Sequence, residues 1–364
     1  LSYGDGDADL SDNQTDNSGD LTPGTYSVTE NVPAGWDLTN TSCISTKGDS
    51  ETAGNISLQA GETVTCTFTN TKRAHIIIQK NAIPDSSQVF TFNNNFGNSN
   101  PSPFNLTDDS TSGLPSYDAE VLPGTYSVTE DPVTGWQSPE STSCDQGETV
   151  DSIDVGPGET ITCTFTNEKL ATIILVKNTV GGDGAFDFDA TGTGLPADID
   201  LTTTSGTDSQ TFENLDPDNT YTIVENVPDG WDLTSSGCTG TNSPSSITPD
   251  AGEVITCTFT NTKRGTIIVE KQTDPNGASG NFTFTGDAAG TISDNGQIVV
   301  NNLVPGTYTS TENDPTPNFD LTSISCDDGS SDIASSGNVI TRVATFELDP
   351  GETVKCTFTN TQRG

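Results

Sequence analysis

The sequence contains no methionine, a single histidine (His75) and only 12 lysines and arginines among 364 residues. Each shortage excludes something. Phosphate backbones are held by Lys and Arg, so 52 acidic residues and a formal charge of −40 exclude a nucleic-acid partner. One histidine at a strand start leaves no Ser–His–Asp or Cys–His arrangement, and no enzyme is expected. It also weakens any zinc site, since the eight cysteines form no C-x-x-C. No apolar run approaches the roughly 20 residues of a membrane helix. No signal peptide is present, and without methionine even at position 1 the chain reads as a mature or excised piece of a longer product.

Hydrophobic residues make up only 30%, which together with high charge can mark disorder. Here they are concentrated in short β-branched runs such as His75-Ile76-Ile77-Ile78 and Thr266-Ile267-Ile268-Val269. Such runs, separated by Asp, Ser, Thr and Gly, specify strands and turns, and no useful helical period occurs. The acidic surface favours solubility and attracts cations. An even number of cysteines at a repeating spacing points to an oxidising, extracellular or cell-surface location.

The hexapeptide TCTFTN occurs at 65–70, 162–167 and 256–261, and as KCTFTN at 355–360. Its cysteines stand 97, 94 and 99 residues apart, the length of a whole domain. Copy four reads GTIIVEK (265–271), NFTFTG (281–286), GQIVVNNL (296–303), PGTYTSTEN (305–313), FDLTSISC (319–326), VATFEL (343–348) and ETVKCTFTN (352–360). The expected fold is all-β: tandem β-sandwich domains of about seven strands each. The boundaries are 1–72, 73–169, 170–263 and 264–364. The short junctions predict a semi-rigid, rod-like array. Copy one is incomplete. Aligned on its PGTY motif at 23–26, residues 1–4 fall where a second strand ends, and the strand matching GTIIVEK is missing.

Each copy carries two cysteines. The simplest scheme pairs Cys43 with Cys66, Cys144 with Cys163, Cys238 with Cys257 and Cys326 with Cys356, although spacing alone leaves connectivity open. Each closes a modest loop, stabilising by roughly 3 kcal/mol in the chain-entropy account.

Strand parity raises a second question. In TCTFTN, Cys66, Phe68 and Asn70 share one face. In the first strand Ile76, Ile78 and Lys80 share a face, as do Ile173, Leu175 and Lys177, and Ile267, Val269 and Lys271. In the PGTY strand the row is Tyr26, Val28 and Glu30, then Tyr126, Val128 and Glu130, then Tyr221, Ile223 and Glu225, and finally Tyr308, Ser310 and Glu312. A Lys, a Glu and an Asn thus each end an apolar row, and buried charges are costly unless paired.

In the order and parity of GTIIVEK, PGTYTSTE and CTFTN, the modules resemble the Cna B-type, prealbumin-like domains of bacterial surface adhesins and pilins, over essentially the whole chain. The resemblance implies an Ig-like or prealbumin-like sandwich and a spontaneous Lys–Asn isopeptide bond assisted by the Glu. The implied bonds are Lys80–Asn167 with Glu130, Lys177–Asn261 with Glu225, and Lys271–Asn360 with Glu312. Copy one has Glu30 and Asn70 but no Lys, and the cysteines depart from the usual pattern. The chemistry is sound in itself. Burial lowers the pKa of Lys and raises that of Glu, a neutral amine is a nucleophile, and a protonated Glu can polarise the carboxamide. The alternative is a hydrogen-bonded Lys–Glu–Asn cluster.

Other features are weaker. Asp5, Asp7, Asp9 and Asp16 stand at loop positions 1, 3, 5 and 12, a spacing that suits Ca2+ or simply a solvated acidic loop. Asp183, Asp187 and Asp189 are a poorer set. Sequons occur at Asn13, Asn40, Asn55, Asn105 and Asn281. Trp36, Trp136 and Trp231 lie in a repeated GW motif, with Phe319 at the matching place, and are expected to pack in cores or hinges. The functional expectation is an extracellular fibre, filament or stalk whose partner is itself, as a head-to-tail polymer or a longer tandem chain. Copy one is then completed by an adjoining segment or a donor strand. The alternatives are an adhesin array with a tip that binds a surface glycan or protein, and a calcium-rigidified spacer.

Overall fold

The computed structural model describes residues 2–3, 6–109, 113–329 and 333–364. It divides into two compact units, 1–169 and 170–364, which hold copies one and two and copies three and four respectively. Strands dominate, and the one helical segment among the described residues is a 3-10 turn at Asp145–Gly147.

The three complete copies share one four-stranded sheet. In copy two its order is Ser116–Val121, Ala74–Ile83, Thr160–Glu168, Ser141–Cys144. In copy three it is Thr207–Leu215, Ala171–Val180, Val254–Lys263, Trp231–Cys238, and in copy four Gln297–Leu303, Gly265–Asp274, Thr353–Gln362, Phe319–Asp327. The first and last strands of each copy are therefore neighbours, and they run parallel. A parallel pair cannot be closed by a hairpin, so the rest of the copy forms the crossover.

The second sheet brings two phenylalanines inward from the second strand: Phe90 and Phe92, Phe186 and Phe188, Phe282 and Phe284. One of each pair meets the TCTFTN phenylalanine edge to face, at 5.1 Å for Phe92–Phe165, 5.2 Å for Phe188–Phe259 and 5.0 Å for Phe284–Phe358. The other meets the aromatic of the GW motif, as Phe90–Trp136, Phe186–Trp231 and Phe282–Phe319. Such pairs add roughly 0.5–1.5 kcal/mol beyond area burial. The GW turn takes Gly at positive φ (77°, 81° and 83° at Gly35, Gly135 and Gly230), closed by the Trp N–H on the carbonyl three residues earlier.

Among the described residues copy three has seven strands, whereas copies two and four have nine. In copy two the PGTY strand is interrupted at Ser127, whose backbone N–H donates to Asn95 Oδ1 instead of a ladder carbonyl. The tyrosine of this strand is fixed in every copy. Tyr26, Tyr126, Tyr221 and Tyr308 donate their hydroxyls to the carbonyls of Thr22, Leu122, Asp216 and Val304.

All four disulfides are present, Cys43–Cys66, Cys144–Cys163, Cys238–Cys257 and Cys326–Cys356. Each joins residues directly opposite one another on the last strand and its antiparallel neighbour. A charge pair recurs beside them. Arg73, Arg264 and Arg363, three residues after the terminal Asn, form two-pronged contacts with Asp37, Asp232 and Asp320 of the GW segment. Copy two has Leu170 and Gln137 at these two places, so both partners are replaced together.

Copy one has only part of this framework. Its last strand, Val64–Lys72, pairs with Trp36–Ser45 on one side. Among the described residues no strand occupies the other side, where the first strand lies in the other copies.

Candidate functional site

The parallel register explains how the polar trio converges. Lys80 lies opposite Phe165, and Asn167 lies opposite Ala82, two residues along the same strand face. The same offset places Lys177 by Asn261 and Lys271 by Asn360. All six of these side chains are at most 1% exposed.

Copy three shows the trio most completely. Lys177 Nζ donates to Asn261 Oδ1 at 2.6 Å and lies 3.4 Å from Glu225 Oε1. Asn261 Nδ2 donates to the same Glu225 oxygen at 2.5 Å. In copy four Asn360 Nδ2 donates to Glu312 Oε1 at 2.9 Å, with Lys271 Nζ 3.6 Å from that oxygen. Here the amine donates to the carbonyls of Phe358 and Gln272. In copy two Lys80 Nζ donates to Asn167 Oδ1 at 2.7 Å. The carboxamide, however, donates to the Gln137 carbonyl, and both Glu130 oxygens are buried without a hydrogen bond. Each amine also sits over the first second-strand ring, 4.2 Å from Phe90, 4.3 Å from Phe186 and 4.5 Å from Phe282. Sequence reasoning missed this roof. Its signal was the recurrent aromatic in VFTF, AFDF and NFTF.

Burial, above all else, drives the amines down and the carboxyls up. Lys80 and Lys271 fall from 10.5 to about 8, Lys177 shifts the same way, and the facing carboxylates oppose the shift only in part. Desolvation raises Glu130 from 4.5 to about 7, and Glu225 and Glu312 move upward for the same reason. The consequence for copy two is large. The two shifts bring the amine and the carboxyl toward one another. Burial thus moves the pair away from the ion pair and toward the neutral amine and neutral acid. That is the protonation state in which the amine can attack a carboxamide and the acid can pass protons.

The remaining predicted residues lie elsewhere. Glu30 and Asn70 meet in copy one, with Asn70 Nδ2 donating to Glu30 Oε1 at 2.6 Å, and among the described residues no Lys joins them. Asp5 lies outside the described residues, as does the Asp7 side chain; Asp9 and Asp16 are exposed. Among the described residues the acidic group close enough to share an ion is a different one, Asp49, Glu51 and Glu62. Its carboxylates take hydrogen bonds from Gln59, Ser57 and Ser45. Asp183 accepts from the backbone of Ser205 and Gly206, and Asp187 and Asp189 from the Asn226 amide. All five sequon asparagines, Asn13, Asn40, Asn55, Asn105 and Asn281, are exposed. Trp136 and Phe319 are buried and Trp231 is partly buried, whereas Trp36 is 41% exposed.

Comparison with known proteins agrees with this architecture. The model of a SpaA-type prealbumin-like fold domain matches residues 4–72, 173–263 and 267–362, and a second model with the same description matches 86–165. No curated protein matches. Among solved structures, the Bacillus anthracis TIE protein is 15% identical, over 93% of this chain and 70% of its own, with a TM-score of 0.33. The major pilin subunit BcpA of Bacillus cereus is 12% identical over 80% of this chain and 100% of its own (TM-score 0.31). The major pilin protein (T-13) of Streptococcus pyogenes is 14% identical over 54% of this chain and 98% of its own (TM-score 0.24). With family models covering all four copies, the chain belongs to the SpaA-type prealbumin-like family.

Proposed function

We propose that this chain is a non-enzymatic, load-bearing segment of an extracellular fibre or surface stalk, each complete copy being locked by a Lys–Asn isopeptide bond. The observation that carries this reading is the buried Lys and Asn brought together by the parallel first and last strands of three successive copies, with the PGTY-strand Glu bonded to the Asn in copies three and four. In a tandem chain those are the strands by which tension enters and leaves a copy. They are also parallel neighbours, so a bond between them passes load across the copy without unravelling it.

Each step uses residues of the chain. The neutral Lys Nζ attacks the Asn Cγ, the Glu acid protonates the departing Nδ2 as the Cγ–Nδ2 bond breaks, and the resulting carboxylate takes the proton that Nζ gives up. Ammonia leaves, and the product is one amide. This is a single maturation event. The disulfides reinforce the same strand from its other side.

Pulling single molecules by their two ends tests the reading. Without the bond, copy two releases roughly 230 Å of extended chain outside its disulfide loop. The proposal requires that no such step occur for copies two to four. Unravelling of all three at forces typical of uncross-linked sandwiches would reject it.

A further inference from the structure

We infer that Arg73 and Arg264 are clasps between successive copies, fixing copy one on copy two and copy three on copy four so that each pair moves as one body. The clasp acts at the junctions between copies and needs no Lys–Asn bond inside them.

Each arginine is the single residue between the last strand of one copy and the first strand of the next. All three nitrogens of its guanidinium are engaged. Two grip the preceding copy. Arg73 Nε and Nη2 donate to the Asp37 carboxylate at 2.5 and 2.8 Å, and Arg264 Nε and Nη2 donate to Asp232 at 2.9 and 2.6 Å. The backbone adds to this grip, because the Arg73 N–H donates to the Gly35 carbonyl and the Arg264 N–H to the Gly230 carbonyl. The third nitrogen reaches forward. Arg73 Nη1 donates to Glu120 Oε2 at 3.2 Å, and Arg264 Nη1 donates to the Asn302 carbonyl at 3.4 Å. Glu120 and Asn302 each stand four residues before the glycine of their PGTY motif, Gly124 and Gly306. The same atom therefore meets the same place on the following copy at two separate junctions. A guanidinium is a rigid fork, so an aspartate on one edge fixes the direction of the remaining donor.

Two further contacts flank the clasp. The residue before each arginine is a lysine, and its stem lies against a glycine of the following copy. A Cβ at Gly158 would come within 2.8 Å of Lys72 Cδ, and one at Gly351 within 3.2 Å of Lys263 Cδ. Both glycines sit at positive φ, 73° and 70°, in the turn before the last strand, a conformation that suits glycine. The Gly351 N–H also donates to the Lys263 carbonyl at 3.0 Å, a backbone bond from copy four to copy three. On the other flank the GW turn closes in. A Cβ at Gly35 would lie 3.6 Å from Glu120 Oε1, and one at Gly230 would lie 3.8 Å from Asn302 Oδ1. A lone exposed ion pair holds little. Here the chain tethers the two surfaces, so the contacts form at high effective concentration and reinforce one another. Copy two carries Leu170 and Gln137 where the others carry Arg and Asp, so the clasp belongs to the junctions after copies one and three.

Residual dipolar couplings of the backbone amides, measured on the full 364-residue chain, read the orientation of each copy separately. In the wild type, copies three and four should fit one alignment tensor, and so should copies one and two. Arg264→Gln should divide the fit for copies three and four into two tensors of different magnitude while copies one and two still share one. Glu120→Ala leaves the Arg73–Asp37 fork in place and should divide copies one and two, which isolates the forward arm. Arg363→Gln removes the same fork with Asp320 inside copy four and should leave every fit unchanged. Exchange of the Gly351 amide hydrogen gives a second reading and should quicken about 2–5-fold in Arg264→Gln, the loss expected of a partly exposed contact. Separate tensors for copies three and four in the wild type overturn the inference. So do Arg264→Gln and Glu120→Ala fits that match the wild type, or an Arg363→Gln effect as large as that of Arg264→Gln.

Discussion

Glu225→Gln isolates the acid in copy three while nearly preserving its shape. Glu225 is the group that touches both reactants, accepting from Asn261 and lying 3.4 Å from Lys177 Nζ. Gln cannot deliver a proton, so bond formation should slow by about 10^2–10^4-fold. A copy three that matures without the bond loses a cross-link between residues 84 apart. Its effective loop, shortened by the 19-residue disulfide loop inside it, gives a chain-entropy loss of about 4.3 kcal/mol. Hydrogen exchange along Val254–Lys263 reads this locally as roughly a 10^3-fold loss of protection. The substitution also disturbs a buried ion pair, so it is repeated in an Asn261→Ala background, where no bond can form. The excess effect in the Asn261 background is the bond's share. The reasoning is refuted if the variant forms the bond as fast as the wild type, or if protection falls equally in both backgrounds.

Further consequences follow from the same geometry. In an Asn167→Ala chain, copy two keeps Lys80 and Glu130 unbonded, and its stability depends on pH in two windows. From 4.5 to about 7 it should fall, because folded Glu130 holds a proton that the unfolded chain releases; from about 8 to 10.5 it should rise, because unfolded Lys80 holds a proton that the folded chain lacks. Urea titrations followed by Trp136 fluorescence should therefore show a stability minimum between those windows. Replacing both Cys238 and Cys257 by Ser should cost copy three roughly 3 kcal/mol, seen as a lower urea midpoint. Tyr221→Phe removes a hydroxyl that donates to Asp216 at 2.9 Å from a fully buried ring, a loss of about 1 kcal/mol in thermal unfolding.

Parity made much of this legible. Alternation alone put Lys80 and Asn167 on inward faces, because one side of each strand is buried and register is strongly specified there. The cysteines followed from repetition. What stayed hidden depends on contacts that no single strand encodes. The roofs of Phe90, Phe186 and Phe282 come from the opposite sheet. The Gln137 carbonyl takes the Asn167 amide from Glu130, and it does so in the one copy where GW is followed by Gln instead of Asp. That substitution accompanies Leu170 in place of Arg, so copy two departs from its siblings at two linked positions. The missing first strand of copy one was visible as a gap in the repeat. The half-assembled Glu30–Asn70 pair required coordinates.

Intact mass under denaturing, non-reducing conditions tests the central claim most directly. The account predicts the sequence mass less eight hydrogens for four disulfides and less one ammonia for each of copies two, three and four. Fragment mapping should place the bonds at Lys80–Asn167, Lys177–Asn261 and Lys271–Asn360. A mass reduced by the disulfide hydrogens alone would contradict it.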